Sequence, residues 1–209
     1  MSEINLVGTD KKRVLCNGCL RPIPACICGL VQPVRSRLTL GILQHPQEVR
    51  QAKGTAQLAQ KCLGCDLWVG EDMRDLTELQ AWLNQRPTYL LYPPDEANPN
   101  TLSTAQLADT PGEIQVLIVD GTWRKTYKML QMNPQLAALP RITLKPTASS
   151  AYAIRKTPNE QSLSTLEAIY TLLCQVDMEN AQTYWPLKQA FDEFVAQRLA
   201  FMPSTRPGA

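Results

Sequence analysis

Val116, Leu117, Ile118 and Val119 form an unbroken apolar run, mostly β-branched, after the turn signal Pro111-Gly112. Such a run marks a strand buried on both faces of a largely parallel sheet. Comparable short runs predict strands over residues 38–43, 66–69, 88–92 and 141–144, with Pro93-Pro94 and Pro146 closing the last two. Between them the apolar spacing becomes helical. Helices are predicted over residues 55–62, 76–83 and 123–130, and from Ser164 onward with Leu166, Ile169, Tyr170, Leu173 and Val176 on one face. A final helix is predicted over 184–202, carrying Trp185, Leu187, Phe191, Phe194, Val195 and Leu199. Residues 95–112 are polar and rich in turn formers, which predicts a surface loop with one helical turn at 105–107. Alternating strands and helices in 209 residues predict one α/β domain with a small appendage.

Ligands of open α/β sheets gather at the carboxyl ends of the strands. The central strand ends there in Asp120-Gly121-Thr122-Trp123, where Gly121 permits a sharp change of direction and Thr122 is a good N-cap. Helix capping alone also yields this pattern. Arg124, Lys125 and Lys128 place three positive charges beside the corner, as an anionic substrate wants. His45, the one histidine of the chain, stands at the end of strand 38–43, before Pro46 and Glu48. It suits a hydrogen-bonded turn as well as it suits catalysis. Ser164 and Glu167 make a capping box, and a helix start of this kind also has amides for a carboxylate or phosphate. Residues 149–156 combine small hydroxyls with Tyr152, Arg155 and Lys156, which fits either a nucleic-acid contact or a solvated charged loop.

A formal charge of +2 excludes a general polyanion binder, so any basic surface is local. No run of about twenty apolar residues and no basic-then-apolar leader is present, which predicts a cytoplasmic protein without membrane contact. Seven cysteines in a reducing compartment point to metal ligation, catalysis or packing rather than disulfides. Cys16, Cys19, Cys26 and Cys28, spaced by turn-forming Gly and Pro, predict a closed tetrahedral thiolate zinc site with a structural role. Residues 1–34 are therefore read as a zinc-binding segment and 35–209 as the α/β domain. Cys62 and Cys65 read as a helix end, with pairing to Cys16 and Cys19 the weaker alternative.

Cys16-x2-Cys19-x-Arg21-Pro22-x3-Cys26-x-Cys28, His45-Pro46-x-Glu48, Asp120-Gly121-Thr122-Trp123, Tyr152-Ala-Ile-Arg155-Lys156 and Leu163-Ser164-Thr165-x-Glu167-Ala168 together resemble the DTW-domain family over residues 16–175. Within it they look like the bacterial tRNA-uridine aminocarboxypropyltransferase branch. Lys53-Gly54-Thr55 departs from the Asn-Thr-Gly-like turn of many relatives. The resemblance makes residues 35–209 the catalytic domain and implies a SPOUT-like, trefoil-knotted, mostly parallel sheet flanked by helices. It implies S-adenosylmethionine as co-substrate, structural zinc and tRNA as partner. The reaction would move the 3-amino-3-carboxypropyl group to N3 of a tRNA uridine, in the variable loop, and release 5′-methylthioadenosine. Asp120 would act as base or orienter and Trp123 as a stacking wall. His45, Thr122, Ser164, Thr165 and Glu167 would frame the cofactor; Arg124, Lys125, Tyr152, Arg155 and Lys156 would meet RNA. A monomer without a dedicated protein partner is expected, because one chain holds both sets of determinants. Two rivals stand beside this reading: a SPOUT-class RNA methyltransferase using the same cofactor, and a non-catalytic zinc-ribbon RNA-binding protein.

Overall fold

The computed structural model describes residues 14–94, 99, 101–145 and 163–201. Its strands are β1 (Thr39–Gln44), β2 (Asp66–Val69), β3 (Thr88–Leu91), β4 (Thr101–Ser103), β5 (Gln115–Asp120) and β6 (Arg141–Thr143). They form one six-stranded sheet in the order β2-β1-β5-β3-β6-β4, every pairing parallel. The helices are α1 (Ala56–Leu63), α2 (Thr77–Leu83), α3 (Thr104–Ala108), α4 (Trp123–Met132), α5 (Pro134–Ala137), α6 (Thr165–Val176) and α7 (Trp185–Ala200).

The predicted α/β architecture with a parallel sheet is therefore present. The region expected as a loop contains an edge strand and a short helix instead. β4 is only Thr-Leu-Ser, too short and too polar to show as an apolar run, and a Ser103–Gln106 capping box starts α3 directly after it. The C-terminal helix begins at Trp185, preceded by a run of 3-10 turns at Met178–Tyr184. Gly64, at φ +61, ends α1 in the left-handed region, so the Cys62–Cys65 stretch is a helix terminus as predicted.

Side chains of a strand alternate between faces, and here each face has its own core. Val116 and Ile118 of β5 join Leu40 and Ile42 of β1 against α1, α3, α6 and α7. Leu117 joins Leu43 and Leu90 against α2, α4 and α5. Cys19 and Ile27 from the cysteine-rich segment are buried in the first of these clusters. Gly41 is required on the second face: a Cβ there would lie 2.8 Å from the Trp68 ring and 3.0 Å from Trp82. Those two indoles meet edge to face at 5.2 Å and fill the space over β1.

The chain leaves β1 outward to β2 but leaves β5 in the opposite direction, past β3 to β6. The β1/β5 boundary is thus the point where connections diverge, the place where open parallel sheets receive ligands. Among the described residues, no helix is long and apolar enough to cross a membrane.

Candidate active site

Asp120 continues the alternation of Val116 and Ile118, so its side chain emerges on the α6 side of the sheet. It is 4 % exposed. In register across from it on β1 stands Gln44, whose Nε2 donates to Asp120 Oδ2 at 2.8 Å. The hydroxyl of Thr165 donates to Oδ1. The backbone joins the same corner, with the N–H of His45 donating to the Asp120 carbonyl at 2.9 Å. The end of the central strand is thereby tied to the end of β1 and to the start of α6.

The start of α6 is strongly organised. The Glu167 N–H donates to Ser164 Oγ at 3.3 Å, and Glu167 Oε2 accepts the Ser164 N–H at 2.9 Å, completing the expected capping box. Thr55 Oγ1, fully buried, accepts the Leu166 N–H at 3.1 Å, and the Ser164 carbonyl accepts that of Ala168. Of the amides at residues 165–168, that of Thr165 alone is left without a partner among the described residues. The helix start expected to offer several amides therefore offers one, because Ser164 and Thr55 take the next two. Gln44 and Thr55 belong to the corner and were not singled out from the sequence. A polar residue at the last inward position of a buried strand was the available signal for Gln44.

The turns after β1 and β2 are clamped to α4. His45 is 3 % exposed; its Nδ1 accepts the Gln47 N–H at 3.1 Å, which places the ring proton at Nε2, 2.9 Å from Glu71 Oε1. The other oxygen of Glu71 pairs with Lys128 at 3.0 Å. That hydrogen bond, followed by the charges of Lys128 and Lys125, holds the Glu71 carboxyl below its ordinary value. Lys125 pairs with Glu48 at 2.7 Å, so its ammonium, expected at RNA phosphate, is engaged within the protein. Arg124 is exposed.

Thr122 caps α4 through its carbonyl, which accepts from the Lys125 and Thr126 amides, while its side chain makes no cap bond and is exposed. Gly121 sits in a tight space rather than in a left-handed turn. A Cβ would lie 3.2 Å from the Thr126 methyl, and the glycines at positive φ among the described residues are Gly64 and Gly112. Trp123 is 54 % exposed and meets Tyr92 edge to face at 5.6 Å. Tyr152, Arg155 and Lys156 lie outside the described residues.

Beside α1 and α7, the four predicted thiols converge. The Sγ atoms of Cys16, Cys19, Cys26 and Cys28 all lie within 4.8 Å of one another, with Cys16 3.4 Å from Cys26 and 3.7 Å from Cys28. Tetrahedral zinc with bonds of about 2.3 Å separates its sulfurs by about 3.8 Å, so the cluster fits one ion. The backbone amides of Gly18 and Cys19 hold the Cys16 thiol down at about 6, whereas desolvation and the neighbouring thiols push Cys28 up to about 12. Cys62 and Cys65 are not part of the cluster. The segment is fastened to α1 by Gln57 Nε2 to the Cys19 carbonyl at 2.9 Å. It is fastened to α7 by Gln197 to the Cys26 carbonyl at 3.0 Å and by Arg198 to the Ala25 carbonyl at 2.8 Å.

The sequence has counterparts among known proteins. Residues 13–199 match the family model described as the DTW domain. Curated relatives named tRNA-uridine aminocarboxypropyltransferase 2 from Macaca fascicularis, Drosophila melanogaster and Mus musculus are each 30 % identical to this chain. The alignments cover 83 %, 78 % and 81 % of it, and 60 %, 68 % and 59 % of the relatives. The chain thus spans less than two thirds of the macaque and mouse proteins. No solved structure matches. Since the family match takes in the cysteine cluster, the Asp120 corner and the start of α6 together, the chain belongs to the DTW-domain family.

Proposed function

We propose that the protein transfers the 3-amino-3-carboxypropyl group of S-adenosylmethionine to N3 of a tRNA uridine, with 5′-methylthioadenosine as the second product. The observation that carries the reading is the hydrogen bond between Asp120 and Thr165. It unites the Asp-Gly-Thr-Trp corner with the Ser-Thr-Glu helix start in a chain related to proteins of that name.

S-adenosylmethionine, when bound, supplies an electrophilic carbon beside its sulfonium. The donor set at the corner suits it: a carboxylate for a cationic centre, the Thr165 amide for an amino-acid carboxylate, and the Trp123 ring as a wall. Asp120, held by Gln44 and Thr165, keeps a fixed direction in which a further lone pair can accept the uridine N3–H, orient that nitrogen and take its proton. Gln44 and Thr165 act through Asp120 by preventing its rotation. His45 and Glu71 hold the neighbouring turn, and Ser164 and Glu167 hold the helix start that carries Thr165. Arg124, Arg155 and Lys156 meet phosphate and Tyr152 a base. One structural zinc at the four thiols, a SPOUT-like knotted arrangement of the sheet, a monomeric state and a cytoplasmic location complete the reading.

Incubation of the protein with S-adenosylmethionine and tRNA lacking the modification tests it. The expected result is a uridine nucleoside heavier by one aminocarboxypropyl group, with methylthioadenosine formed in equal amount. A methyl gain with S-adenosylhomocysteine would move the protein to the methyltransferases, and no gain despite tRNA binding would leave an RNA-binding protein without catalysis.

A further inference from the structure

Helix α4 carries an exposed aromatic surface. Its inner face, Thr126, Met129 and Leu130, is buried, and the outer face of such a helix is ordinarily polar. Here Trp123 and Tyr127 are 54 % and 57 % exposed. Four residues apart, they share one face of the helix. Arg124 and Lys128 repeat the same spacing one residue on, so a row of two cations runs beside the row of two rings. Arg124 has no acidic partner among the described residues, and Lys128 keeps a side chain 63 % exposed despite its contact with Glu71. The row begins at the Asp120 corner, where Tyr92 braces the Trp123 ring.

We propose that the Trp123–Tyr127 face of α4 is a stacking surface for unpaired nucleotides of the RNA substrate, with Arg124 and Lys128 meeting their phosphates. The proposal rests on the tRNA reading above and adds Tyr127 to it. Rings beside cations match the alternation of base and phosphate along a single strand. The spacing selects an unstacked strand. Residues four apart on a helix are separated by about 6 Å along its axis, more than the roughly 3.4 Å between successive stacked bases. A regular duplex cannot meet both rings with successive bases, and a loop with splayed bases can. Trp123, nearest Asp120, takes the base next to the reacting uridine, and Tyr127 takes the one beyond.

Fluorescence anisotropy of the full chain with a labelled single-stranded uridine-rich oligonucleotide, with duplex RNA and with tRNA tests this without any cofactor. Tyr127→Ala and Tyr127→Leu are expected to weaken single-strand and tRNA binding about tenfold, while Tyr127→Phe keeps wild-type affinity and duplex binding does not change. Equal binding by the Leu and Phe variants, or unchanged affinity in Tyr127→Ala, would overturn the proposal; the first result would mark the face as an apolar contact suited to a protein. The transfer assay separates the two readings. RNA binding of the expected pattern without modification would leave the stacking surface and remove the transferase, and normal transfer with unchanged affinity and KM in Tyr127→Ala would do the reverse.

Discussion

Thr165, the first residue of α6, donates its hydroxyl proton to Asp120, the last residue of β5. The contact joins residues 45 positions apart and satisfies a carboxylate oxygen at a buried corner. Thr165→Val keeps the shape and removes the donor. It is expected to lower stability by about 1–3 kcal/mol in urea unfolding, since a buried acceptor loses its partner. Transfer should fall by roughly a hundredfold, because the carboxylate is free to turn. Thr165→Ser should restore both. Equal transfer by the Val and Ser variants would remove the hydroxyl from the site.

Glu71 links His45 to Lys128, and its carboxyl lies below the ordinary value of 4.5 because of Lys128 first and Lys125 after it. A depressed carboxyl contributes stability that is present above its unfolded value and lost as pH falls through the folded one. The wild-type protein should therefore melt above Glu71→Gln at neutral pH, and the gap should close as pH drops below 4.5. Melting curves of both proteins from acid to neutral pH check the sign; a gap that widens toward acid would refute it.

For the thiol cluster, one equivalent of zinc per chain is expected by elemental analysis. Cys19→Ser and Cys26→Ser should lose the metal and a large part of their thermal stability, because ion binding also orders the loop. Cys62→Ser, at a buried position of α1 outside the cluster, should lose stability and keep its zinc. Zinc loss in all three variants would contradict the ligand assignment.

Leu20 has φ +57 and is 72 % exposed, so a side chain with no packing to lose occupies a conformation that suits glycine. Left-handed backbone costs an ordinary residue roughly 1–2 kcal/mol, part of which glycine's unfolded freedom offsets. Leu20→Gly should stabilise the zinc-loaded protein by about 0.5 kcal/mol in urea unfolding. A destabilised variant would show that the left-handed strain at Leu20 is smaller than the freedom glycine gains on unfolding.

The legible part of this fold was the part carried by long, uniform patterns. β5 and β1 announced themselves because strands buried on both faces have apolar centres, β3 because its short run of Tyr and Leu ends at Pro93-Pro94, and α6 because its capping box and its apolar face agree. β4 and α3 escaped because three residues at a half-exposed edge need no apolar run. Asp120 and Trp123 at the corner and the four thiols of the N-terminal segment could be named from order and spacing, and Thr165 from the family resemblance. Gln44 and Thr55 were harder to read, since each acts on a group more than seventy residues away; a polar residue ending a buried strand was the one local mark of Gln44, and nothing local marks Thr55. Lys125 shows the converse: its charge was visible, but Glu48, which occupies it, comes near only through the pairing of β1 with β5.

The bonds from Gln197 and Arg198 to the Cys26 and Ala25 carbonyls span 171 and 173 residues. During synthesis at about 5–20 residues per second, the thiol loop leaves the ribosome roughly ten to thirty seconds before its α7 dock exists. Through that interval four cysteines stand without their final shelter, so a metal ion bound early at the cluster would protect the thiols from oxidation before α7 docks.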